Sequence, residues 1–559
     1  MSDSTPPDPI PFPARRPLKV YAFDPSMGHM LGNHLGLTVA YEPLQPGPVG
    51  ARVAVVDYDG HTGTYYAPVD LDDKAILMRG GLDPSESDPR FHQQMVYAVA
   101  SETLERFEVA LGRKIHWHRA GPGPNRLNLY PHAMLEANAY YSRDIHGIVF
   151  GYFPAGPDAD GDVLPRQTVF TCLSHDIIAH EVTHAVIDGI REHFTEPTNI
   201  DVTAFHEAFA DLAALFRHFS HQDALLDTLQ RTGGRLYAPS LAADAKGPTA
   251  HANVGAEISP NNPLVQLARQ FGQVSGRSGG LRSALDQKSN ANSIRSVTEP
   301  HARGAILVAA MFDAFFTTYV SRTADLFKVF RIGGARPDSD DLPGPLALLL
   351  AERASKTADM FFMICARALD YCPPVDITFG DFLRALITAD SDLYPVDARD
   401  VRYTIMQAFR RRGIVPEGSL YFSEESLRWP LASPGLPAVK GLVFGDPNGL
   451  SREEQDINGR VLWAYAAANA EALGFNREHG KVSVPSFHPI FRLGEDGVLR
   501  IDMVVELIQK RKIAFDEASP ELGAFEVNSG VTLMIANQPL KEGSRPDPVV
   551  RYVIPRHAR

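Results

Sequence analysis

The chain has 559 residues, 44% hydrophobic and 22% charged side chains and a net charge of −13, which is the composition of a globular protein too long for one core. An acidic balance with no long basic run excludes a protein that tracks nucleic-acid phosphates, the short cluster Arg410–Gly413 being a solvated helix end. Three cysteines, Cys172, Cys365 and Cys372, make no disulfide framework. Cys365 and Cys372 are seven apart in a helical pattern, about 10 Å of rise and beyond disulfide reach, so all three read as core thiols.

Residues 1–18 are rich in proline and acidic where a secretory signal needs a basic start and an apolar run. They are expected to be disordered, and the location cytoplasmic, with a non-classical export route left open. From Leu18 to about residue 85 the runs KVYAF, ARVAVVDYDG and TYYAPVDL sit between Gly, Pro and Asp turns and predict strands. A helix is expected over 88–114, where apolar residues recur at helical spacing behind an Asp88–Pro89 start signal. ANAYYSRDIHGIVFGYF, 137–153, predicts a hairpin or edge strands. Beyond about 175 the pattern turns helical, with clear elements over 202–219, 302–320, 345–369, 379–394 and 400–413. The longest apolar run, 305–316, is broken by Asp313 and falls short of a membrane span. Proline, glycine and serine over 416–450 predict a linker, and 451–559 reads as one helix followed by strands. The expected class is α+β: a β-rich lobe at 19–190 ending in the helix described next, an α-helical lobe at 191–415, and a small α+β C-terminal domain without recognisable chemistry that offers a surface for a protein partner.

Chemistry concentrates in LSHDIIAHEVTHAVIDGI, Leu173–Ile190. Residues i and i+4 share a helix face, so His180 and His184 converge on a point about 2 Å from each, as tetrahedral zinc requires. Glu181 is rotated by about 100° from His180, beside the metal rather than on it, where a carboxylate takes a proton from metal-bound water. In HEAFAD, 23 residues beyond His184, Glu207 supplies a third ligand within an apolar segment where an unpaired carboxylate is costly. Asp211, one turn on, is placed to accept a ligand histidine N–H. Three protein ligands and a base describe an open, hydrolytic site with one zinc per chain rather than a closed structural one.

These segments resemble the thermolysin family of zinc endopeptidases, the gluzincins with H-E-x-x-H and a downstream E-x-x-x-D. The resemblance covers about 20–415 and implies a two-lobed catalytic unit with zinc on His180, His184 and Glu207, Glu181 as general base and Asp211 orienting a ligand histidine. NAYY at Asn138–Tyr141 resembles the family's edge strand, which implies that Asn138 bonds the substrate backbone and that Ala139 offers backbone groups to it. GGLRSALD resembles the segment that grips the carbonyl beyond the scissile bond, implying Arg282, with Arg295 a competitor for that role. EPHARGAILVAAMFDAF resembles the segment carrying the oxyanion-stabilising histidine, implying His301.

The chain also departs from the family pattern. His206 stands where an asparagine precedes the third ligand, either supporting the site or packing in the core. The family's tyrosine after the first zinc helix has no counterpart, Phe194 and Thr195 occupying that stretch. The aspartate that orients the oxyanion histidine is missing at its usual spacing, with Glu299 as stand-in. Of the acidic calcium cluster only Asp176 matches, so calcium is not expected. The expected function is zinc-dependent endopeptidase, cutting peptide or protein substrates, without nucleic acid or membrane as partner; no acidic exopeptidase motif adjoins NAYY. Two rivals are a catalytically weak or inactive zinc-stabilised scaffold and a hydrolase of non-peptide amides.

Overall fold

Strands and helices both build the chain, which is of mixed α+β class. The computed structural model describes residues 13–28, 32–118, 124–157, 163–231, 264, 266–267, 282–283, 291–332, 342–397, 399–446, 449–493, 499–514, 523–537 and 547–556. The chain divides into two compact units: Met1–Glu105 with Arg119–Val182 and Ala268–Arg277, and Arg106–His118 with Thr183–Leu267 and Ser278–Arg559.

In the first unit β1 (Arg15–Tyr21) and β2 (His34–Ala40) pair antiparallel, and alternate residues Leu18, Val20, Leu37 and Val39 are buried, the period of a strand. Arg15–Leu18 therefore belong to a strand and not to a disordered terminus. The reason is Arg16, whose buried guanidinium donates to Leu71 O at 2.6 Å and Glu42 O at 2.8 Å and pairs with Asp72. Residues 1–12 lie outside the described residues. After β3 (Val53–Val55) and the small pair β4 (Tyr58–Asp59) and β5 (Thr64–Tyr65) come α1 (Lys74–Arg79) and α2 (Pro89–Leu111). Asp88 opens α2 by accepting the Arg90 N–H at 3.0 Å. β6 (Leu127–Met134), β7 (Ala139–Ser142), β8 (Gly147–Pro154) and β9 (Thr168–Phe170) complete a sheet of order β3-β6-β8-β7, with β9 paired to β8. β7 ends that order, antiparallel to β8, with Ala139 opposite Phe150 and Tyr141 opposite Ile148.

The division between the units falls inside α3 (His175–Ile190), a continuous helix whose Ile178, Val182, Ala185, Val186 and Ile187 are buried. The second unit carries α4 (Ile200–His218), begun by Asn199 accepting the Asp201 N–H at 2.7 Å, and α5 (Gln222–Arg231). The two-residue strands β10 (Gln266–Leu267) and β11 (Arg282–Ser283) pair antiparallel. α6 (Ser293–Ser296), α7 (Pro300–Ile332), α8 (Gly344–Ala368), α9 (Phe379–Leu393) and α10 (Val401–Arg411) follow. α4 packs on α7 through Phe216, stacked on Phe312 at 5.0 Å, and on α8 through the same ring, 6.0 Å from Phe361, while Phe219 just beyond α4 is edge-on to Phe315 at 4.8 Å.

Against the expectation from Asp313, α7 is long and apolar enough by length and composition to cross a membrane over Pro300–Phe330. Its most apolar window is 78% buried, as in a core helix, and Asp313 is itself buried and ion-paired with Arg412.

After α11 (Glu424–Leu427) and α12 (Arg452–Ala468), strands β12 (Val482–Leu493), β13 (Leu499–Ala514), β14 (Ala524–Ala536) and β15 (Val549–Arg556) form an antiparallel meander in sequence order. One face makes its own core, with Met503, Val505, Leu507, Val531 and Leu533 under Leu462 and Tyr465 of α12. The rest of the second unit holds the sheet by buried polar bonds: Arg191 to Glu506 at 2.5 Å, Thr532 to Cys372 O at 2.8 Å, and Arg492 with Arg113 on Asp370 at 3.4 and 2.8 Å. The tail is thus part of the helical unit rather than standing apart. The described part of 416–450, irregular apart from α11, is no free linker: Ala432 N–H donates to Arg551 O and Val439 N–H to Pro548 O, both at 2.8 Å, and Trp429 Nε1 to Tyr371 O at 2.9 Å.

Candidate metal centre

Helix α3 carries His180, Glu181 and His184 on one rigid element, all buried, and one ligand-type atom from each lies within 4.8 Å of the others. This is the convergence that i and i+4 spacing imposes on a helix. The three can hold a metal ion. Glu181 is fixed from the sheet of its own unit, where Oε2 accepts the Tyr141 N–H of β7 at 2.9 Å. Because alternate residues of a strand point their backbone groups the same way, that bond also sets Ala139 with its backbone toward the open edge, away from β8. Ala139 is half-buried there, and its N–H is taken by Asn138 Oδ1 at 3.0 Å. Asn138 is exposed and its carbonyl accepts from Gly151 N at 2.9 Å.

Within the second unit a chain of side chains runs outward from His184. Its Nδ1 lies 2.6 Å from Nδ1 of His206, and its Nε2 lies 3.7 Å from Glu207 Oε1. The first distance is a hydrogen bond; the second is too long for one. Two ligands of a tetrahedral zinc are about 3.4 Å apart, so the Nε2 to Oε1 separation suits a shared cation. If Nε2 presents its lone pair, the one proton of neutral His184 sits on Nδ1 and is donated to His206. α4 thus brings Glu207 near His184 Nε2 and, beside it, His206 into a hydrogen bond with His184 Nδ1. Asp211, expected in that orienting role, is buried one turn after Glu207 on α4.

The second oxygen of Glu207 is 3.3 Å from Nε2 of His301, whose Nδ1 is 2.9 Å from Glu299 Oε1. Glu299 also accepts the N–H groups of His301 at 3.1 Å and Ala302 at 2.6 Å, capping the first turn of α7. The Ala302 bond first, then His301, hold its carboxyl below the usual range. Glu299 thus holds the His301 ring through Nδ1. Arg303, buried, fixes the same turn: Nε donates to Asp201 at 2.5 Å, and Nη1 to the carbonyls of Ile294 and Val297 at 2.7 Å. Asp201 lies in the first turn of α4, so one ion pair ties the helix bearing Glu207 to the helix bearing His301. At Gly304 the helices nearly touch, since a Cβ there would lie 2.8 Å from Ala204 O.

The other expected positions fare differently. Arg282 lies on β11, but its side chain is outside the described residues. Arg295 is exposed on α6. Phe194 is fully buried in the short turn Glu192–Thr195, and Thr195 spends its hydroxyl on Glu192 O at 3.2 Å, so neither replaces the tyrosine. A second metal-competent group, His92, His132 and Cys172, is buried in the first unit. No spacing motif announces it, because its members come from α2, β6 and the turn before α3. Neither the family models nor the curated proteins contain a match to this chain.

Proposed function

We propose that the chain is a thermolysin-like zinc endopeptidase, with zinc held by His180, His184 and Glu207. The observation that carries this reading is His184, on the helix of His180 and Glu181, with Nδ1 bonded to His206 and Nε2 at 3.7 Å from Glu207 Oε1. Two imidazoles and one carboxylate are the donor set of an open hydrolytic zinc site. When bound, zinc lowers the pKa of a water ligand to near 7 and polarises a carbonyl.

The chain's own residues supply the rest. Glu181, held by the Tyr141 N–H, accepts the proton of the attacking water and returns it to the leaving amine. The outward backbone of β7 at Ala139 adds an extended peptide as a further strand, with Asn138 at its start. His301, oriented by Glu299, donates from Nε2 to the developing oxyanion, giving up its contact with Glu207 as it does so. The burial of Phe194 where a tyrosine would serve leaves this work to one side chain.

A fluorogenic peptide library tests the reading. Cleavage is expected to vanish with a chelator and to fall by about 10²–10⁴ in Glu181→Gln, the share typical of a general base, while bound zinc is retained. Zinc bound by the unaltered protein with no cleavage of any peptide contradicts it and favours the scaffold.

A further inference from the structure

The mechanism makes no use of three side chains that meet inside the first unit: His92 on α2, His132 on β6 and Cys172 in the turn Thr171–Leu173. Each is at most 1% exposed, and one ligand-type atom from each lies within 4.8 Å of the others. Hydrogen bonds at the two ends settle where the ring protons sit. His132 Nδ1 lies 2.7 Å from Asp57 Oδ1, and His92 Nε2 lies 3.1 Å from the carbonyl oxygen of Glu86. A carboxylate and a carbonyl only accept, so each outer nitrogen carries the proton. Gln93 Nε2 donates to the second Asp57 oxygen at 2.8 Å and holds the carboxylate in place. A neutral imidazole has one proton, so the inner nitrogens, Nδ1 of His92 and Nε2 of His132, would then set two lone pairs 2.8 Å apart. A cation has to lie between them, either one additional proton or a metal ion.

We propose that this is a second metal site, taking a divalent thiophilic cation of the zinc class on His92 Nδ1, His132 Nε2 and Cys172 Sγ. Asp57 and the Glu86 carbonyl act as outer partners that fix both tautomers, the arrangement that orients histidine ligands of metals. The donor set, two imidazoles and a thiolate, suits a borderline-soft ion. Charge favours a divalent one. Binding sends two protons to solvent, one from the thiol and one from the imidazole pair, and the ion, the thiolate and Asp57 then sum to zero. A monovalent ion would leave a net negative charge in the interior, which is costly. The imidazole pair needs little change, since the N···N distance opens only to about 3.3 Å for ligands of tetrahedral zinc. Without an ion, burial and then the Asp57 charge push the Cys172 thiol up, so the metal is also what makes a thiolate tolerable there.

Cobalt(II) is the probe, because cobalt–thiolate bonds give a near-ultraviolet charge-transfer band and His180, His184 and Glu207 contain no sulfur. The full chain, chelated under reducing conditions and titrated with cobalt, is expected to develop that band with one thiolate-bound ion per chain. Cys172→Ser loses the band, while Glu207→Ala, which dismantles the other site, keeps it. An unaltered chain that shows no band, a band that survives Cys172→Ser, or one that disappears in Glu207→Ala overturns the proposal. Should Cys172→Ser fail to fold, the presence or absence of the band in the unaltered chain and in Glu207→Ala still decides.

Discussion

At the proposed zinc site, His206 is the ring whose removal should tell most. It sits where the thermolysin-like pattern has asparagine, and its Nδ1 meets the Nδ1 of His184 at 2.6 Å. Removing such an outer partner typically weakens metal binding by 10–100-fold. His206→Ala is therefore expected to lower zinc affinity by about that factor in a chelator competition, and His206→Asn, which keeps an acceptor, to recover part of it. An unchanged affinity in His206→Ala would show the ring to be packing alone. The pairing of His180 with His184 was legible because helix periodicity converts i and i+4 spacing directly into a shared face, with Glu181 beside them on the same helix. The role of His206 was not legible, because it depends on the rotation of α4 against the end of α3, which no local pattern encodes. His301 is an intermediate case: its place at the start of α7 is readable, whereas its contacts with Glu207 and Glu299 come from packing.

Among the elements, α4 and α7 are set by a close approach and an ion pair. A side chain at Gly304 would press on Ala204 O and on Ala208, the neighbour of Glu207. Gly304→Val is expected to cost about 1–3 kcal/mol by overpacking and to reduce cleavage further by moving His301 from Glu207. Denaturant unfolding beside peptide turnover checks both, and a variant of full stability and activity would show that the contact yields. Arg303→Met leaves Asp201 buried with its strongest partner gone, a loss of about 3–5 kcal/mol in the same unfolding measurement. Helix positions were well anticipated, since a 3.6-residue period survives in any context. Arg15–Leu18 and 416–450 were misjudged for a common reason. Proline and glycine report on local backbone freedom, but distant partners, Leu71 O for Arg16 and Pro548 O for Val439, hold these stretches in place.

For the molecule as a whole, the C-terminal sheet is bound to its unit by charges that should make stability depend on pH. Burial first, then the charge of Arg113, hold the His488 imidazole down at about 4. An unfolded histidine titrates near 6.5, so between about 6.5 and 4 the unfolded chain binds a proton that the folded one refuses. Stability therefore falls on acidification across that window, by roughly 3 kcal/mol from this group alone. His488→Gln should flatten the decline in melting temperature between these pH values; an unchanged slope would assign the effect elsewhere. The tail's helix and strands were legible as local patterns, but their attachment was not, because the buried Glu506 in β13 reads as an outward-facing residue until Arg191 is seen against it.

The most direct test of the account is anomalous diffraction at the zinc absorption edge from crystals of the zinc-loaded chain. A peak within about 2.2 Å of the His180 imidazole, of His184 Nε2 and of a Glu207 oxygen is the predicted result. No peak there, or one touching fewer than all three, would contradict it.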